Sequence, residues 1–346
     1  MLLLLLASLY VGSLSGTYFS YGQLDLPKES RCEMTWEELD NWEKIGEKII
    51  NEEGSTVRNL MLHAYLRMSQ NDFAELGKGK GSVGYLSYQI IKLFKPDFIV
   101  SKWTKGMDDA FSKKLGEIIF SKYEERFKKE DIKPQLLSGG EGWKGSKPYY
   151  GIDTSSLTPW YIKKDSFKSL PPPTNVSFWA LQMDEVDMLS SNISEKERKD
   201  VDFWASSQGD IIYIADYYMY EVNTPVLERA KIRAILASTH SDACASCFLS
   251  KYTYMVKRPF MFQKGFTPII DTPNHPSYPS AHSTNSAALV VLLNHYLPNP
   301  HWMRLANEAG LSRIVGGIHY PIDHVNGQEL GTRIGEAILN DLRNRP

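Results

Sequence analysis

The stretch NHPSYPSAHSTNSAALVVLLNHY, residues 274–296, joins a run of turn-forming residues directly to an apolar helix pattern. Ser280 stands where the turn ends, and the pattern from Ser283 onward predicts a helix that begins here. The start of a helix attracts an anion because its first backbone N–H groups have no partner within the helix. His282 lies one step inside, where an imidazole can give or take a proton. Taken alone, the stretch fits both an anion site and a serine that merely caps a helix.

The rest of the chain also favours helices over strands. Apolar residues recur at helical spacing in many segments, and the alternation typical of strands is scarce. The predicted helices are 36–53, 56–68, 107–129, 185–189, 195–205, 211–220, 225–237, 243–255, 283–296, 302–309 and 322–342. We therefore predict an all-α protein, a helical bundle that carries its functional residues on helix ends and turns.

The composition along the chain predicts three parts behind a leader. An apolar run followed by small residues predicts a signal peptide over residues 1–15, and hence a secreted or periplasmic protein, with a buried terminal helix as the alternative. Residues 16–135 form a predicted N-terminal helical region and residues 176–346 a helical catalytic core, expected to pack together as one compact domain. Residues 136–175, rich in Gly, Pro and aromatic side chains, predict an irregular connection between them.

Charge and cysteine content exclude several classes of protein. The 39 basic and 41 acidic residues give a formal net charge of −2, without the basic excess typical of nucleic-acid binding. No stretch approaches the roughly 18 apolar residues that a membrane-spanning helix needs. Of the three cysteines, Cys244 and Cys247 form a lone Cys-x-x-Cys pair, which two small helix residues explain as well as redox or metal chemistry does. The expected partners are therefore small molecules.

A second segment contributes two cations. Lys251 falls near the end of a predicted helix, and Arg258 stands directly before Pro259, which discourages helical conformation at the arginine. The lysine is a mobile point charge, whereas the guanidinium is a planar fork that can hold two oxygens of an oxyanion. By itself the segment is explained equally well by two solvated side chains.

A third segment adds a possible nucleophile. Arg313 supplies another fork, and His319 is followed four residues later by Asp323. A carboxylate bonded to one imidazole nitrogen fixes the tautomer and leaves the other nitrogen free to attack phosphorus or to bind vanadium. Between them, Gly316 and Gly317 allow the backbone to approach closely. Five further histidines lack such neighbours and are predicted to be structural or surface residues: His63, His240, His295, His301 and His324.

Together the three segments resemble a known signature. In chain order they read Lys251-x6-Arg258-Pro259, Pro279-Ser280-Ala281-His282 and Ser312-Arg313-x5-His319-x3-Asp323. This order resembles the signature shared by type 2 phosphatidic acid phosphatases, bacterial class A acid phosphatases and vanadium-dependent haloperoxidases. Ala281 departs from it, since the family usually has glycine there. Flanking stretches at 158–160, 202–205 and 272–280 resemble the soluble bacterial haloperoxidase-like branch, which implies the helical bundle of that type.

The resemblance implies a vanadate cofactor with His319 as the ligand of vanadium. The residues that would hold the vanadate oxygens are Lys251, Arg258, Ser280, Ala281 and Arg313. His282 would be the acid-base residue, and Lys251 would polarise the bound peroxide. His275 occupies a place where bromide-oxidising relatives have histidine, so it marks a possible halide or substrate pocket. The implied activity is oxidation of bromide or iodide by hydrogen peroxide to hypohalous acid.

Two alternatives use the same residues. In a soluble acid phosphatase, His319 would attack the phosphorus of a phosphate monoester to form a phosphohistidine, Asp323 would orient it, and His282 would protonate the leaving alcohol. Vanadate resembles the transition state of that reaction, so the sequence constrains geometry better than chemistry. The other alternative is a non-enzymatic helical protein that binds phosphate or vanadate.

Overall fold

A computed structural model of the chain describes residues 17–28, 30–53, 55–100, 109–134, 142–206 and 209–345. Over these residues it contains twelve α-helices, one 3₁₀ turn at Thr154–Ser156 and no sheet, so the predicted all-α class is confirmed. The helices are α1 Trp36–Glu53, α2 Thr56–Leu76, α3 Gly84–Phe94, α4 Ala110–Lys129, α5 Val176–Ser191, α6 Glu195–Ala205, α7 Ile211–Glu221, α8 Val226–Tyr254, α9 Pro259–Phe262, α10 Ala281–Tyr296, α11 Trp302–Val315 and α12 Pro321–Asn344. The predicted signal peptide over 1–15 lies outside the described residues.

The longest helix, α8, is continuous where the sequence predicts two helices, 225–237 and 243–255. Four polar residues between those two segments, Ser238, Thr239, Ser241 and Asp242, are buried inside the fold. The carboxylate of Asp242 accepts hydrogen bonds from the backbone N–H groups of Trp160 at 2.7 Å and Tyr161 at 3.0 Å. A side chain that reads as a turn former thus holds the irregular connection against the middle of α8.

Two apolar clusters lie on opposite sides of α8. One joins α1–α4 with residues such as Ala230 and Ala234 of α8. The other joins α7, α10, α11 and α12 with Ile232 and Leu236 of the same helix. Because α8 contributes to both clusters, it runs through the middle of the fold, and Lys251 near its end is fully buried.

Helices α10 and α12 pack closely because α12 carries a row of glycines. Gly327, Gly331 and Gly335 follow one another at a spacing of four, which places them on one face of the helix. A Cβ atom on Gly331 would lie 2.1 Å from the backbone oxygen of Thr284, so only glycine permits this approach. Close packing brings the start of α12 beside the start of α10.

The turn between α11 and α12 depends on Gly317. Its φ of +78° lies in the left-handed region, and a Cβ there would lie 3.0 Å from Cζ of Phe266. The N–H groups of Gly317 and Ile318 donate to the carbonyls of Ile314 and Arg313, closing the end of α11. His319 follows directly, two residues before α12 begins at Pro321.

Candidate active site

The predicted site residues converge on one cavity of about 970 Å³. Those that line it are His275, Ala281, His282, Arg313 and His319. Lys251, Arg258 and Ser280 do not line it but are fully buried next to residues that do. The three segments, separated by up to about 70 positions in the chain, thus form a single cluster.

His319 is held in one tautomer by groups on both of its nitrogens. Its Nδ1 lies 2.8 Å from Oδ2 of Asp323, and its Nε2 lies 3.0 Å from Nη1 of Arg258. A guanidinium only donates, so Nε2 accepts and Nδ1 carries the proton that is donated to Asp323. Burial, reinforced by the nearby charge of Arg258, holds the pKa of His319 well below its usual value. The imidazole is therefore neutral, with its lone pair on Nε2.

Ser277, which the sequence analysis did not single out, forms a hydrogen bond to Asp323, the carboxylate partner of His319. Its hydroxyl donates to Oδ2 of Asp323 at 2.5 Å, and the N–H of Tyr320 donates to the same oxygen at 3.1 Å. Burial raises the pKa of Asp323 to about 6, against the opposing effect of the Ser277 hydrogen bond. A hydroxyl three residues before Ser280, in the same turn, was the available signal for this contact.

Arg258 and Lys251 are fixed by backbone carbonyls. Arg258 donates from Nε to His275 O at 3.0 Å and from Nη1 to Ile318 O at 2.7 Å. Lys251 donates from Nζ to two carbonyls of the turn before α10, at 2.9 and 2.7 Å. Burial lowers the pKa of Lys251 to about 7 and that of Arg258 to about 10.

Arg313 is held in the same way from the opposite side. Its Nη2 donates to the carbonyl of Val201 at 2.7 Å, and its Nε donates to Oγ of Ser312 at 3.0 Å. Burial lowers the pKa of Arg313 to about 10. Within the described part of the chain, none of the three cations forms an ion pair, so their positive charge is available to an anion.

The start of α10 combines a serine N-cap with a backbone N–H group that has no partner within the helix. Ser280 is the N-cap, and its Oγ accepts a hydrogen bond from Ser283 N at 3.4 Å. Ala281 is the first residue of the helix, so its backbone N–H belongs to the first turn and has no partner within the helix. Its methyl group is compatible with this ordinary helical conformation.

The rings of His282 and His275 form two further parts of the wall. His282 Nε2 donates to the carbonyl of Trp204 at 3.1 Å, and burial together with Arg313 lowers its pKa to about 4. His275 Nδ1 lies 3.0 Å from Nη2 of Arg258. The His275 ring stacks on Tyr150 at 5.8 Å between centroids and lies 5.2 Å from the ring of Phe248.

A family comparison covers the part of the chain that carries all of these segments. Residues 232–345 match the family model of the PAP2 superfamily. This segment belongs to the PAP2 superfamily. The match contains every one of the predicted site residues, from Lys251 to Asp323, and the suspected superfamily is therefore confirmed.

Curated relatives match the PAP2 segment over short stretches. The decaprenylphosphoryl-5-phosphoribose phosphatase of Mycobacterium tuberculosis (strain ATCC 25618 / H37Rv) is 38% identical over 69 residues, which is 20% of this chain and 39% of that protein. Its counterpart from Mycolicibacterium smegmatis is 43% identical over 58 residues, 17% of this chain and 32% of that protein. The chain thus spans about a third to two fifths of the length of the curated relatives it matches.

Solved structures resemble the fold over most of the chain. A bacterial vanadium-dependent iodoperoxidase superposes with a TM-score of 0.75 at 20% identity, covering 91% of this chain and 98% of that one. A bacterial vanadium-dependent chloroperoxidase gives a TM-score of 0.59 at 12% identity, with 83% of each chain covered. At these identities the likeness establishes the fold, including the helices before the PAP2 segment. Among the helices that the structure describes, none has the length and apolar character needed to cross a bilayer.

Proposed function

We propose that this protein is a vanadate-dependent haloperoxidase that oxidises bromide or iodide with hydrogen peroxide to hypohalous acid. The observation that carries the proposal is the neutral imidazole of His319, whose Nε2 lone pair faces the guanidinium of Arg258 and whose Nδ1–H donates to Asp323. A nitrogen lone pair amid buried cations without carboxylate partners is what an anionic metal oxide requires.

The donor groups of the site fit vanadate. Lys251, Arg258 and Arg313 are donors only, as is the backbone N–H of Ala281, so they match the oxygens of an oxyanion. Ser280 adds a hydroxyl, and Nε2 of His319 is the nitrogen that would bind vanadium. Bound vanadate would supply a Lewis acid that activates hydrogen peroxide toward halide without changing its own oxidation state.

The protonation states of His282 and Lys251 assign different roles to these two acid-base groups. With a pKa lowered to about 4, His282 is neutral near pH 7 and is suited to accept a proton from incoming peroxide. With a pKa lowered to about 7, Lys251 can either hold a positive charge or donate a proton to a departing oxygen. His319 does neither, because Asp323 keeps its proton on Nδ1.

The aromatic surroundings of His275 favour binding of a large halide. The His275 ring lies against the aromatic rings of Tyr150 and Phe248, and its own pKa is held well below the usual value by burial. Ring edges carry partial positive charge, and the apolar surroundings cost a weakly hydrated anion less than a strongly hydrated one. This favours iodide and bromide over chloride.

The second candidate is a phosphatase that works through a phosphohistidine, and the names of the curated relatives favour it. The same cations would stabilise charge on the phosphoryl oxygens, with His319 as the nucleophile. The leaving alcohol, however, needs an acid, and the pKa of His282 lowered to about 4 leaves that imidazole unprotonated near pH 7. We therefore place phosphate ester hydrolysis second.

One assay series separates these functions. The purified protein is assayed with and without orthovanadate, first for halogenation of monochlorodimedone with peroxide and bromide, then for hydrolysis of p-nitrophenyl phosphate. Vanadate-dependent halogenation is the expected result. Hydrolysis that vanadate only inhibits would support the phosphatase, and phosphate binding without either turnover would leave a binding protein.

His319→Ala tests the centre of the site. We expect it to lower the rate of the active reaction by more than roughly 10³-fold, as loss of a covalent ligand or nucleophile does. His301→Ala is the matched control, because His301 is exposed, directly precedes α11 and does not line the cavity. Equal rates for His319→Ala and wild type would overturn the site assignment.

A further inference from the structure

Ser277 contacts all three segments of the signature. It lies in the turn before α10, three residues before Ser280, and is fully buried. Its backbone N–H donates to the carbonyl of Val256 at 3.0 Å, and its own carbonyl accepts from Nζ of Lys251 at 2.7 Å. Its hydroxyl donates to Oδ2 of Asp323 at 2.5 Å. Ser277 therefore holds the segment of Lys251 through its backbone and the segment of Asp323 through its side chain.

The carboxylate of Asp323 has few other groups to hold it in place. Its Oδ2 accepts from the hydroxyl of Ser277, from the N–H of Tyr320 at 3.1 Å and from Nδ1–H of His319 at 2.8 Å. Its Oδ1 is buried and has no hydrogen-bond partner in the described part of the chain. Without the hydroxyl of Ser277, one backbone N–H is the remaining donor besides the histidine. A buried carboxylate is stable only with its donors, so this hydroxyl carries a large share of the support.

The position of Asp323 in turn sets the direction of the His319 lone pair. A carboxylate bonded to one imidazole nitrogen orients the ring whose other nitrogen binds a metal. The hydroxyl oxygen of Ser277 also lies 3.4 Å from Nδ1 of His319, beside the same edge of the ring. A carboxyl group turns easily about its last side-chain bond, because that torsion has broad minima. Removing the hydroxyl would therefore free Asp323 to turn and the imidazole to follow it.

We propose that Ser277 is a positioning residue of the site: its hydroxyl fixes Asp323 and thereby orients the imidazole of His319, whose Nε2 would bind vanadium. Ser277 does not line the cavity, so it acts through its neighbours and not on a substrate. The inference rests on the proposed function only in naming vanadate, because a phosphohistidine mechanism would use the same nitrogen.

The cations of the site do not depend on the hydroxyl. Lys251 donates to the backbone carbonyls of Pro276 and Ser277, and Arg258 donates to two other carbonyls. Ser277→Ala removes the hydroxyl and keeps these backbone groups. Binding of an oxyanion by the cations and binding of vanadium by His319 can therefore be measured apart.

The experiment compares sulfate with vanadate by titration calorimetry of the vanadate-free protein. Sulfate contacts the cations but forms no bond to an imidazole nitrogen, whereas vanadate uses both. For Ser277→Ala we expect the dissociation constant of vanadate to rise about tenfold, the lower end of the effect of removing an outer partner of a metal ligand. That of sulfate should change less than about twofold, since the charge-assisted hydrogen bonds remain. Ser238→Ala is the control, because Ser238 is equally buried, donates to Ala234 O within α8 and does not line the cavity.

A double-mutant cycle tests whether Ser277 acts through Asp323. Asp323→Asn should weaken vanadate binding at least as much as Ser277→Ala does. The double variant should bind vanadate no more weakly than Asp323→Asn alone, because members of one hydrogen-bond network do not act additively. If Ser277→Ala does not fold, Ser277→Thr and Ser277→Val replace it as a pair of equal shape. In that pair the valine variant should bind vanadate more weakly than the threonine variant and sulfate equally well.

Two results would overturn the inference. Equal losses of sulfate and vanadate affinity in Ser277→Ala would show a general structural role, and additive effects in the cycle would show that Ser277 does not act through Asp323. Vanadate-dependent halogenation together with an unchanged vanadate affinity in Ser277→Ala would refute the inference and leave the proposed function standing. Vanadate affinity that depends on Ser277 in a protein without halogenation would do the reverse.

Discussion

Buried arginines occur in two regions of this protein, and their partners differ. In the charged cluster between α1, α2, α7 and α8, Arg67 lies 2.9 Å from Oε1 of Glu43 and 2.9 Å from Oδ2 of Asp216. Arg233 in the same cluster lies 2.9 Å from Asp40. At the candidate active site, Arg258 instead donates to backbone carbonyls and to imidazole nitrogens.

This difference in partners shifts the pKa values of Arg67 and Arg258 in opposite directions. Burial opposes the charge of Arg67, but Asp216 and Glu43 more than compensate and raise its pKa. Burial lowers the pKa of Arg258 to about 10, and Asp323, whose carboxylate is bonded to His319 and Ser277, raises it too little to compensate. The charge of Arg67 is neutralised by carboxylates and holds the fold together, whereas the charge of Arg258 has no such partner and is available to an anion.

The largest expected effect comes from removing one arginine from each region. Arg258→Met should weaken vanadate or sulfate binding roughly 10- to 100-fold, because a charge-assisted hydrogen bond contributes about 1.5–3 kcal/mol. Arg67→Met should leave that affinity unchanged but lower the free energy of unfolding by about 3–5 kcal/mol, because buried carboxylates lose a partner. Calorimetric titration and urea unfolding measure the two quantities.

The comparison fails if the two variants exchange behaviour. Arg258→Met leaves carbonyls of His275 and Ile318 without a donor, so it should cost about 1–3 kcal/mol of stability. It also removes a charge without an ion-pair partner, which offsets part of that cost. A larger loss of stability in Arg258→Met than in Arg67→Met would contradict the assignment of Arg258 to binding.

Periodicity predicted much of the fold, and its errors have physical reasons. Helices α1 and α6 have the predicted bounds because a clear apolar pattern lies between caps, such as the capping box of Ser194 and Glu197. Helix α3 was not predicted, although it is apolar, and α8 was divided in two. In α8 the hydroxyl of Ser238 bonds to Ala234 O, and the carboxylate of Asp242 bonds to a distant loop. Tertiary partners of this kind are invisible to a propensity argument.

The candidate site was more predictable than the helices that carry it. The spacing of His319 and Asp323 in the sequence fixes a local pair, and the 2.8 Å contact is present. The hydrogen bonds of Ser277 to Asp323 and of His282 to Trp204 connect distant segments, so no spacing rule could supply them. The size of the cavity beyond Ala281 depends on how α8 and α10 pack and was equally inaccessible.

The second-largest effect is a pH dependence of sulfate binding that arises from Lys251. Sulfate stays a dianion over the relevant range and so reports only the protein. Lys251 has its pKa lowered to about 7 by burial, so it loses its charge as pH rises through that value. Sulfate affinity should therefore fall about tenfold between pH 6 and pH 8, as expected when binding takes up one proton. Titration calorimetry at a series of pH values measures it.

Lys251→Met separates this contribution from that of Asp323. The carboxyl of Asp323, with a pKa raised to about 6, gains a negative charge over part of the same range and also disfavours an anion. In the variant only this second dependence should remain, so its curve should be flatter than that of the wild type. Parallel curves would show that Lys251 keeps one charge state throughout, like the arginines of the charged cluster.

The smallest expected effect tests the neutral part of the same cradle, the backbone N–H at the start of α10. Ala281→Gly should change sulfate or vanadate affinity less than about threefold, because Ala281 already has the helical conformation that directs its N–H. The opposite type of change, Gly317→Ala, should lower the stability of the fold more than Ala281→Gly does, because φ is +78° and a Cβ would lie 3.0 Å from Phe266. Titration and thermal unfolding measure both variants. A tenfold change in Ala281→Gly would mean that the helix start, rather than the surplus charge of the arginines, dominates anion binding.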